Sequence, residues 1–165
     1  MKNGIQWAGL ALLLMLLLYG CGDGNGMKAP NFSLHDLQGR ETSLEEHRGR
    51  VVLLDFWATW CPPCRGSIPE LVSLQKKYND KGLVVLGISL DDPRTTTDHY
   101  LRAFNQKFRI NYAVLRFDRG IIKDYFKEET PSIPTMFIID REGEIRDRIV
   151  GFRPGTIEAS LTKIL

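Results

Sequence analysis

The stretch Trp60-Cys61-Pro62-Pro63-Cys64 contains the two cysteines whose spacing decides the fold. An apolar run from Val51 to Phe56 precedes it and predicts a buried strand, while the two prolines suit the first turn of a helix. Cysteines three residues apart at such a junction can form a disulfide. The helix N-terminus favours the thiolate of Cys61, which we expect to be exposed, and Cys64 would resolve the mixed disulfide. The stretch therefore indicates thiol–disulfide exchange.

Apolar residues elsewhere alternate between strand and helix patterns. The runs Leu83 to Leu90 and Thr135 to Ile139 predict two more buried strands. A tight turn, Asp140-Arg141-Glu142-Gly143, leads into an antiparallel strand from Glu144 to Val150. The sequence therefore predicts an α/β domain with a mixed sheet flanked by helices. Further predicted elements are a hairpin from residues 29–34 and 41–44, a short strand at 112–115, and helices at 62–78, 100–108, 121–126 and 156–165.

The N-terminal residues 1–21 are typical of a signal peptide. Lys2 precedes an apolar run from Trp7 to Leu18, which is shorter than the ~20 residues that a spanning helix needs. The run ends in Leu18-Tyr19-Gly20-Cys21, which resembles a bacterial lipobox and predicts lipid attachment at Cys21. An ordinary signal peptide or an uncleaved anchor are the alternatives, and all three export the domain. Residues 22–28 would be a flexible tether, and residues 29–165 the folded domain.

The composition excludes several other classes of function. The chain has 165 residues, enough for one domain, and 22 Lys and Arg against 20 Asp and Glu, so it carries no basic surface typical of nucleic-acid binding. A structural zinc site needs two closely spaced ligand pairs, and the chain has one. The cysteine pair is itself a redox centre, so we expect no metal and no cofactor. We also expect a monomer.

Three separate stretches resemble one known fold. Asp55 to Cys64 is similar to the active-site segment of thioredoxins, Ser132-Ile133-Pro134-Thr135 to their cis-proline loop, and Val150-Gly151-Phe152 to their glycine loop. With the N-terminal hairpin, a helix and strand between residues 93 and 115, and the export signal, the chain resembles the TlpA/ResA-like branch. These are membrane-tethered thiol–disulfide oxidoreductases of the bacterial envelope. The resemblance implies a thioredoxin-like fold and that activity.

Asp55 is the candidate base for Cys64. It is the one charged residue in a six-residue apolar run, so burial should raise its pKa towards neutrality. Thioredoxins place an aspartate at this position. An aspartate paired with a lysine, or turned outward at the strand end, is the alternative. The TlpA/ResA-like branch commonly has a glutamate three residues after the second cysteine, where this chain has Ser67, which leaves the proton transfer to Asp55.

Partner binding is expected along the cis-proline loop. A cis peptide bond at Pro134 would turn the backbone of Ile133 towards the disulfide, where an extended peptide could pair with it. An ordinary trans proline at an edge strand is the alternative. The residues expected to bind the substrate are Trp60, Pro62, Ile133, Pro134 and Phe152, while Trp57 would pack beneath the site.

The resemblance implies reduction of specific protein disulfides, such as those of apocytochrome c, with electrons from a membrane thiol carrier. Pro62 and Pro63 donate no hydrogen bond to the Cys61 thiolate, which favours a reducing potential. Two alternatives remain. Residues 29–34 also resemble the opening of peroxiredoxins, which would make the protein a thiol peroxidase. A copper-binding envelope protein would hold the metal through Cys61 and Cys64 without catalysis.

Overall fold

The computed structural model describes residues 26–127 and 129–165, and its centre is a six-stranded mixed sheet. The middle of the sheet is β4 (Val51–Trp57), whose seven residues are all buried. A continuous apolar run of this kind suits a strand that is covered on both faces. The other strands are β1 (Met27–Lys28), β2 (Ser33–His35), β3 (Glu41–Ser43), β5 (Leu83–Ser89), β6 (Ala113–Arg116), β7 (Thr135–Ile139) and β8 (Glu144–Val150).

The strand order is β1-β8-β7-β4-β5-β6, and β2 and β3 form a separate antiparallel hairpin. The strands β4, β5 and β6 are parallel neighbours, whereas β7 runs antiparallel to β4, and β8 antiparallel to β7. The turn that joins β7 to β8 contains Gly143 at φ +78°, a backbone conformation that favours glycine. The predicted α/β class, the mixed sheet and the N-terminal hairpin are confirmed.

Within the described part of the chain, four α-helices cover the sheet, and they lie on both of its faces. They are α1 (Pro62–Tyr78), α2 (Asp98–Phe108), α3 (Arg119–Phe126) and α4 (Thr156–Leu161). On one face, α3 and the β2–β3 hairpin pack against Leu54 and Phe56, and the Phe56 and Phe126 rings meet edge to face at 4.9 Å. On the other face, α1, α2 and α4 pack against Leu53 and Trp57. The active-site helix α1 therefore lies on the face to which Trp57 points.

The last helix is shorter than the predicted range, 156–165. It ends at Leu161, and the following residues form turns. The guanidinium of Arg141 donates hydrogen bonds to the carbonyl oxygens of Ile164, at 3.0 Å, and Leu165, at 3.3 Å. These carbonyls are bound by the β7–β8 turn, so the C-terminus is held against the sheet without further helical turns.

The predicted tether, residues 22–28, is wrong at its C-terminal end. Met27 and Lys28 form β1, which pairs with Ile145 and Glu144 of β8, and Lys28 Nζ lies 3.4 Å from the Glu144 carboxylate. The edge of β8 presents unpaired backbone groups, and β1 satisfies them. The predicted signal peptide, the lipid attachment at Cys21 and tether residues 22–25 lie outside the described residues.

None of the helices within residues 26–127 and 129–165 combines the length and the apolar character that are needed to cross a bilayer.

Candidate active site

The two cysteines lie where β4 gives way to α1, as the sequence predicts, and they form a disulfide. Cys61 is the N-cap of α1, and its Sγ accepts a hydrogen bond from the Cys64 N–H at 3.2 Å. Pro62 and Pro63 occupy the first two helical positions, where they lack N–H groups. Cys64 N–H is therefore the donor that this helix end offers to the Cys61 sulfur, and it would stabilise a thiolate there.

Cys61 is far less accessible than we expected from its position at a helix end. Its exposed fraction is 3%, and that of Cys64 is 0%. Cys61 belongs to an apolar cluster with Trp57, Ala58 and Ile68, and Ile133 packs against that cluster. The prediction of an exposed Cys61 is therefore wrong, because the loop before α1 is packed into the core. Little of the Cys61 surface is therefore open to a partner sulfur in the oxidised protein.

The loop with the predicted cis-proline lies next to the disulfide. The Ile133–Pro134 peptide bond is cis, and the Ile133 carbonyl oxygen lies 3.8 Å from Cys61 Sγ. Pro134 is buried, and its own carbonyl accepts a hydrogen bond from the Gly151 N–H at 2.8 Å. The cis-proline loop and the glycine loop are thus joined to each other beside Cys61.

The remaining predicted docking residues differ in exposure. Trp60 is 64% exposed, and Pro62 is exposed beside it. Ile133 is half-buried. Phe152 is also half-buried, and it packs over Gly66, where an added Cβ would lie 3.5 Å from its ring. Trp60, Pro62 and Ile133 therefore flank the disulfide, while Phe152 covers α1 one turn further along.

A groove opens on the other side of the loop that precedes Cys61. It has a volume of about 390 Å³ and an aromatic floor, in which the Phe104 and Phe108 rings stack with centroids 4.3 Å apart. Arg65 and Lys107 place positive charge at its edge. The groove is lined by Thr59, Arg65, Tyr100, Ala103, Phe104, Lys107 and Phe108.

The same loop is fixed by a buried carboxylate that the sequence analysis missed. Asp91, which is 0% exposed, accepts hydrogen bonds from the Thr59 N–H at 3.0 Å, the Thr59 hydroxyl at 2.6 Å and the Ser89 hydroxyl at 2.9 Å. A buried carboxylate needs partners of this kind. The position of Asp91 just after the apolar run of β5 was the sequence signal that could have identified it as a buried carboxylate. Asp91 holds the chain two residues before Cys61.

Asp55 is buried in β4 with 1% of its surface exposed. Neither carboxylate oxygen has a hydrogen-bond partner among the described residues, so the alternative of a lysine partner is wrong, as is that of an outward side chain. Burial raises the pKa of Asp55 from 3.8 to about 8. Alternation along β4 places Asp55 on the same face as Trp57, the face covered by α1. A carboxyl group with this pKa can both accept and return a proton near neutral pH.

Ser67 places a hydroxyl, and not a carboxylate, three residues after Cys64. Its hydroxyl is buried and donates a hydrogen bond to the Cys64 carbonyl oxygen at 2.8 Å, within α1. Asp55 is therefore the carboxylate that the structure places on the face beneath the cysteine pair.

The family model described as the AhpC/TSA family matches residues 25–148, which include the cysteine pair and the cis-proline loop. The chain belongs to the AhpC/TSA family. The thioredoxin-like protein YneN of Bacillus subtilis is 36% identical over 158 residues, covering 88% of this chain and 90% of YneN. The thiol-disulfide oxidoreductase ResA of Bacillus cereus is 32% identical over 128 residues, covering 76% of this chain and 69% of ResA.

Solved structures agree with this family assignment. A thiol:disulfide interchange protein of the thioredoxin family from Chlorobium tepidum has a TM-score of 0.75 and 28% identity, covering 86% of this chain and 98% of that chain. The fold is thioredoxin-like, as predicted. With its Cys61–Cys64 pair, this family member is a thiol–disulfide oxidoreductase.

Proposed function

We propose that the protein reduces specific protein disulfides in the bacterial cell envelope, with the disulfides of apocytochrome c as one such substrate class. The observation that carries this proposal is the Cys61–Cys64 disulfide at the N-terminus of α1, with the Ile133 carbonyl 3.8 Å from Cys61 Sγ and Asp55 buried beneath. The reducing direction is supported by Pro62 and Pro63, which remove two amide donors from the surroundings of the thiolate.

The first step is attack by the reduced enzyme. The Cys61 thiolate attacks one sulfur of the substrate disulfide, a Cys61–substrate disulfide forms, and the second substrate sulfur leaves as a thiolate. The Cys64 N–H and the positive end of the α1 dipole stabilise the attacking thiolate. Since Cys61 is almost enclosed, we expect the substrate to present its sulfur in an extended segment that can lie close to the Ile133 backbone.

The second step releases the substrate. Asp55 accepts the proton of the Cys64 thiol, the Cys64 thiolate attacks Cys61 Sγ, and the other substrate sulfur leaves. The Cys61–Cys64 disulfide is restored, and two electrons have passed to the substrate. A carboxyl pKa of about 8 allows Asp55 to return the proton when a membrane thiol carrier reduces the pair again.

Substrate binding would use the exposed surface around the disulfide. An extended segment can pair with the Ile133 backbone as an added strand, while Trp60, Pro62 and Phe152 supply apolar contacts. Pro134 is buried, so it would contribute by shaping the Ile133 backbone and not by its ring.

The location that we propose rests on residues 1–21. A lipid attached to Cys21, at the end of the predicted signal-peptide segment, would hold the domain at the outer side of a bacterial membrane. Because β1 begins at Met27, the tether would comprise residues 22–26 and would reach on the order of 12 Å. We propose that the protein acts there as a monomer.

Trapping tests this function directly. A Cys64→Ala variant, expressed as the full chain in a bacterial envelope, should accumulate a mixed disulfide between Cys61 and its substrate. Mass spectrometry after non-reducing purification would identify the partner. The matched control is Cys61→Ala, which keeps one cysteine of the pair but lacks the attacking sulfur, and should trap far less.

The two alternatives give different results. A thiol peroxidase would consume one peroxide for every two donor thiols oxidised to a disulfide, at a rate that depends on Cys61, and would trap no protein. A copper-binding protein would bind Cu(I) tightly in its reduced form and would not accelerate disulfide reduction. Absence of any protein disulfide on Cys61 in the Cys64→Ala variant would contradict the exchange function.

A further inference from the structure

We propose that the Tyr112 hydroxyl is a positioning group for Asp55, hydrogen bonding to its carboxylate through one bound water and thereby stabilising the charged form. Gly87 provides the gap that allows the Tyr112 ring to reach Asp55 across β5. This inference rests on the proposed role of Asp55 as the base for Cys64.

The strand register places these residues on one face of the sheet. Asp55 of β4 pairs with Gly87 of β5, and Gly87 pairs with Val114 of β6. Paired residues point to the same face, and Tyr112 lies two positions before Val114, so it belongs to that face as well. Asp55 and Tyr112 are therefore two strands apart, with Gly87 between them.

Two aromatic rings, those of Trp57 and Tyr112, occupy the space that a side chain at position 87 would take. A Cβ built on Gly87 would lie 3.2 Å from Tyr112 Cε2 and 2.9 Å from Trp57 Nε1. The Tyr112 ring thus lies over β5, in the direction of β4. Any larger residue at position 87 would push one of the two rings away from the space in front of Asp55.

Three buried polar groups meet in this region without hydrogen-bond partners among the described residues. They are the Asp55 carboxylate, the Trp57 indole N–H and the Tyr112 hydroxyl. The carboxylate accepts hydrogen bonds, and the indole and the phenol can donate them. Buried polar groups in folded proteins are almost always paired, and since none of these three hydrogen bonds directly to another, one acceptor and two donors are best satisfied by a bound water that bridges them.

The charge on Asp55 also acts on Tyr112. Burial raises the pKa of Tyr112 well above 10.0, and the Asp55 carboxylate raises it further. The surroundings are otherwise apolar. Met136 of β7 pairs with Asp55, and the cluster that contains Trp57 and Val114 includes Ile68 of α1 and Phe104 of α2. On this face, Tyr112 is the titratable group whose pKa the Asp55 charge raises; Cys61 and Cys64 are joined in the disulfide, and the buried Asp91 carboxylate lies beyond the end of β5, where it accepts hydrogen bonds from Thr59 and Ser89.

The test is a titration of Asp55 itself. The ¹³Cγ resonance of Asp55 is followed by NMR from pH 5 to 10 in the oxidised protein and is assigned by its loss in Asp55→Asn. Tyr112→Phe keeps the ring over Gly87 and removes the donor, so the midpoint of Asp55 should rise by about 0.5 to 1 pH unit. The matched control is Tyr125→Phe, which removes a hydroxyl that donates to the Pro30 carbonyl on the opposite face of the sheet, and it should leave the midpoint within about 0.2 units.

Gly87→Ala is a second and independent variant. Its methyl group displaces Tyr112 or Trp57, both of them donors, so the midpoint of Asp55 should again rise. An unchanged or lower midpoint in Tyr112→Phe overturns the proposal, as does a shift of equal size in Tyr125→Phe. Because the titration needs no substrate, it is independent of the trapping experiment. Failure to trap a partner would contradict the proposed function and leave the Tyr112–Asp55 pairing in place.

Discussion

At the scale of single residues, thiol–disulfide exchange depends on how burial in the core alters the reactivity of Cys61 and the pKa of Asp55. Cys61 is almost enclosed yet lies at a helix N-terminus, and Asp55 is buried without a partner among the described residues. The burial of Asp55 costs folding free energy, because its carboxyl group must either stay protonated or lose the hydration of its charge. The free energy of unfolding should therefore change with pH according to the protonation state of Asp55.

We expect Asp55→Asn to be more stable than the wild type at high pH. Burial raises the pKa of Asp55 from 3.8 to about 8, so between these values the unfolded chain has lost a proton that the folded chain keeps. Stability of the wild type therefore falls as the pH rises through this interval and is level above it. The neutral amide removes the effect, so the gain should be on the order of 3–6 kcal/mol at pH 9 and close to zero below pH 4.

Urea unfolding of the oxidised proteins at pH 4, 7 and 9 measures this gain. Asp80→Asn, which changes an exposed carboxylate, is the control and should keep the pH slope of the wild type. A parallel pH dependence in Asp55→Asn and the wild type would show that Asp55 ionises in the folded protein as it does in the unfolded chain.

At the scale of elements, the loop between β4 and α1 is held by the end of β5. Asp91 is the acceptor for three hydrogen bonds, two of them from Thr59, so the loop cannot move without breaking a buried network. This network connects the parallel strands β4 and β5 at their carboxyl ends, where Cys61 lies. It keeps the cysteine pair aligned with the Ile133 carbonyl.

Asp91→Ala should destabilise the protein by about 2–4 kcal/mol, because it leaves buried donors on Thr59 and Ser89 without an acceptor. Denaturant unfolding at pH 7 measures the loss. The neighbouring change Asp92→Ala removes a surface ion pair with Arg94 and is the matched control, for which a much smaller effect is expected. Equal losses in the two variants would argue against the network.

The sequence predicted those features that depend on neighbouring residues. The apolar runs identified β4, β5 and β7, and the cysteines with the two prolines identified the start of α1. The pairing of Gly87 with Asp55 and the approach of Tyr112 could not be predicted, because they depend on the register of three strands that are distant in the sequence. The enclosure of Cys61 was missed for the same reason, since Ile133 comes from a distant loop.

At the scale of the whole molecule, attachment and catalysis are expected to be separable. The described domain, from residue 26 onwards, contains the complete cysteine pair, Asp55 and the Ile133 loop. We therefore expect a change at Cys21 to alter where the protein is found and not what it does.

Cys21→Ser should move the protein from the membrane fraction to the soluble envelope fraction, while its rate of disulfide reduction in solution stays within about twofold of the wild type. Fractionation followed by immunoblotting, with metabolic labelling by a radioactive fatty acid, measures the first effect. Ser33→Ala, on the exposed β2 strand, is the control and should remain in the membrane fraction. Labelling of the Cys21→Ser protein equal to that of the wild type would contradict lipid attachment at Cys21.

Under the proposed lipid attachment at Cys21, the position of β1 determines which end of the domain would face the membrane. Met27 and Lys28 pair with the first residues of β8, at the end of the sheet where β4 begins, whereas Cys61 follows the end of β4. Seven residues of strand separate these two ends by roughly 20 Å. A protein anchored through its N-terminus would thus point its sulfur pair outward, towards freely diffusing substrates. An electron donor embedded in the bilayer could reach that pair only after the domain had rotated on its tether. Reduction of the cysteine pair and reduction of the substrate would then take place in opposite orientations of the domain.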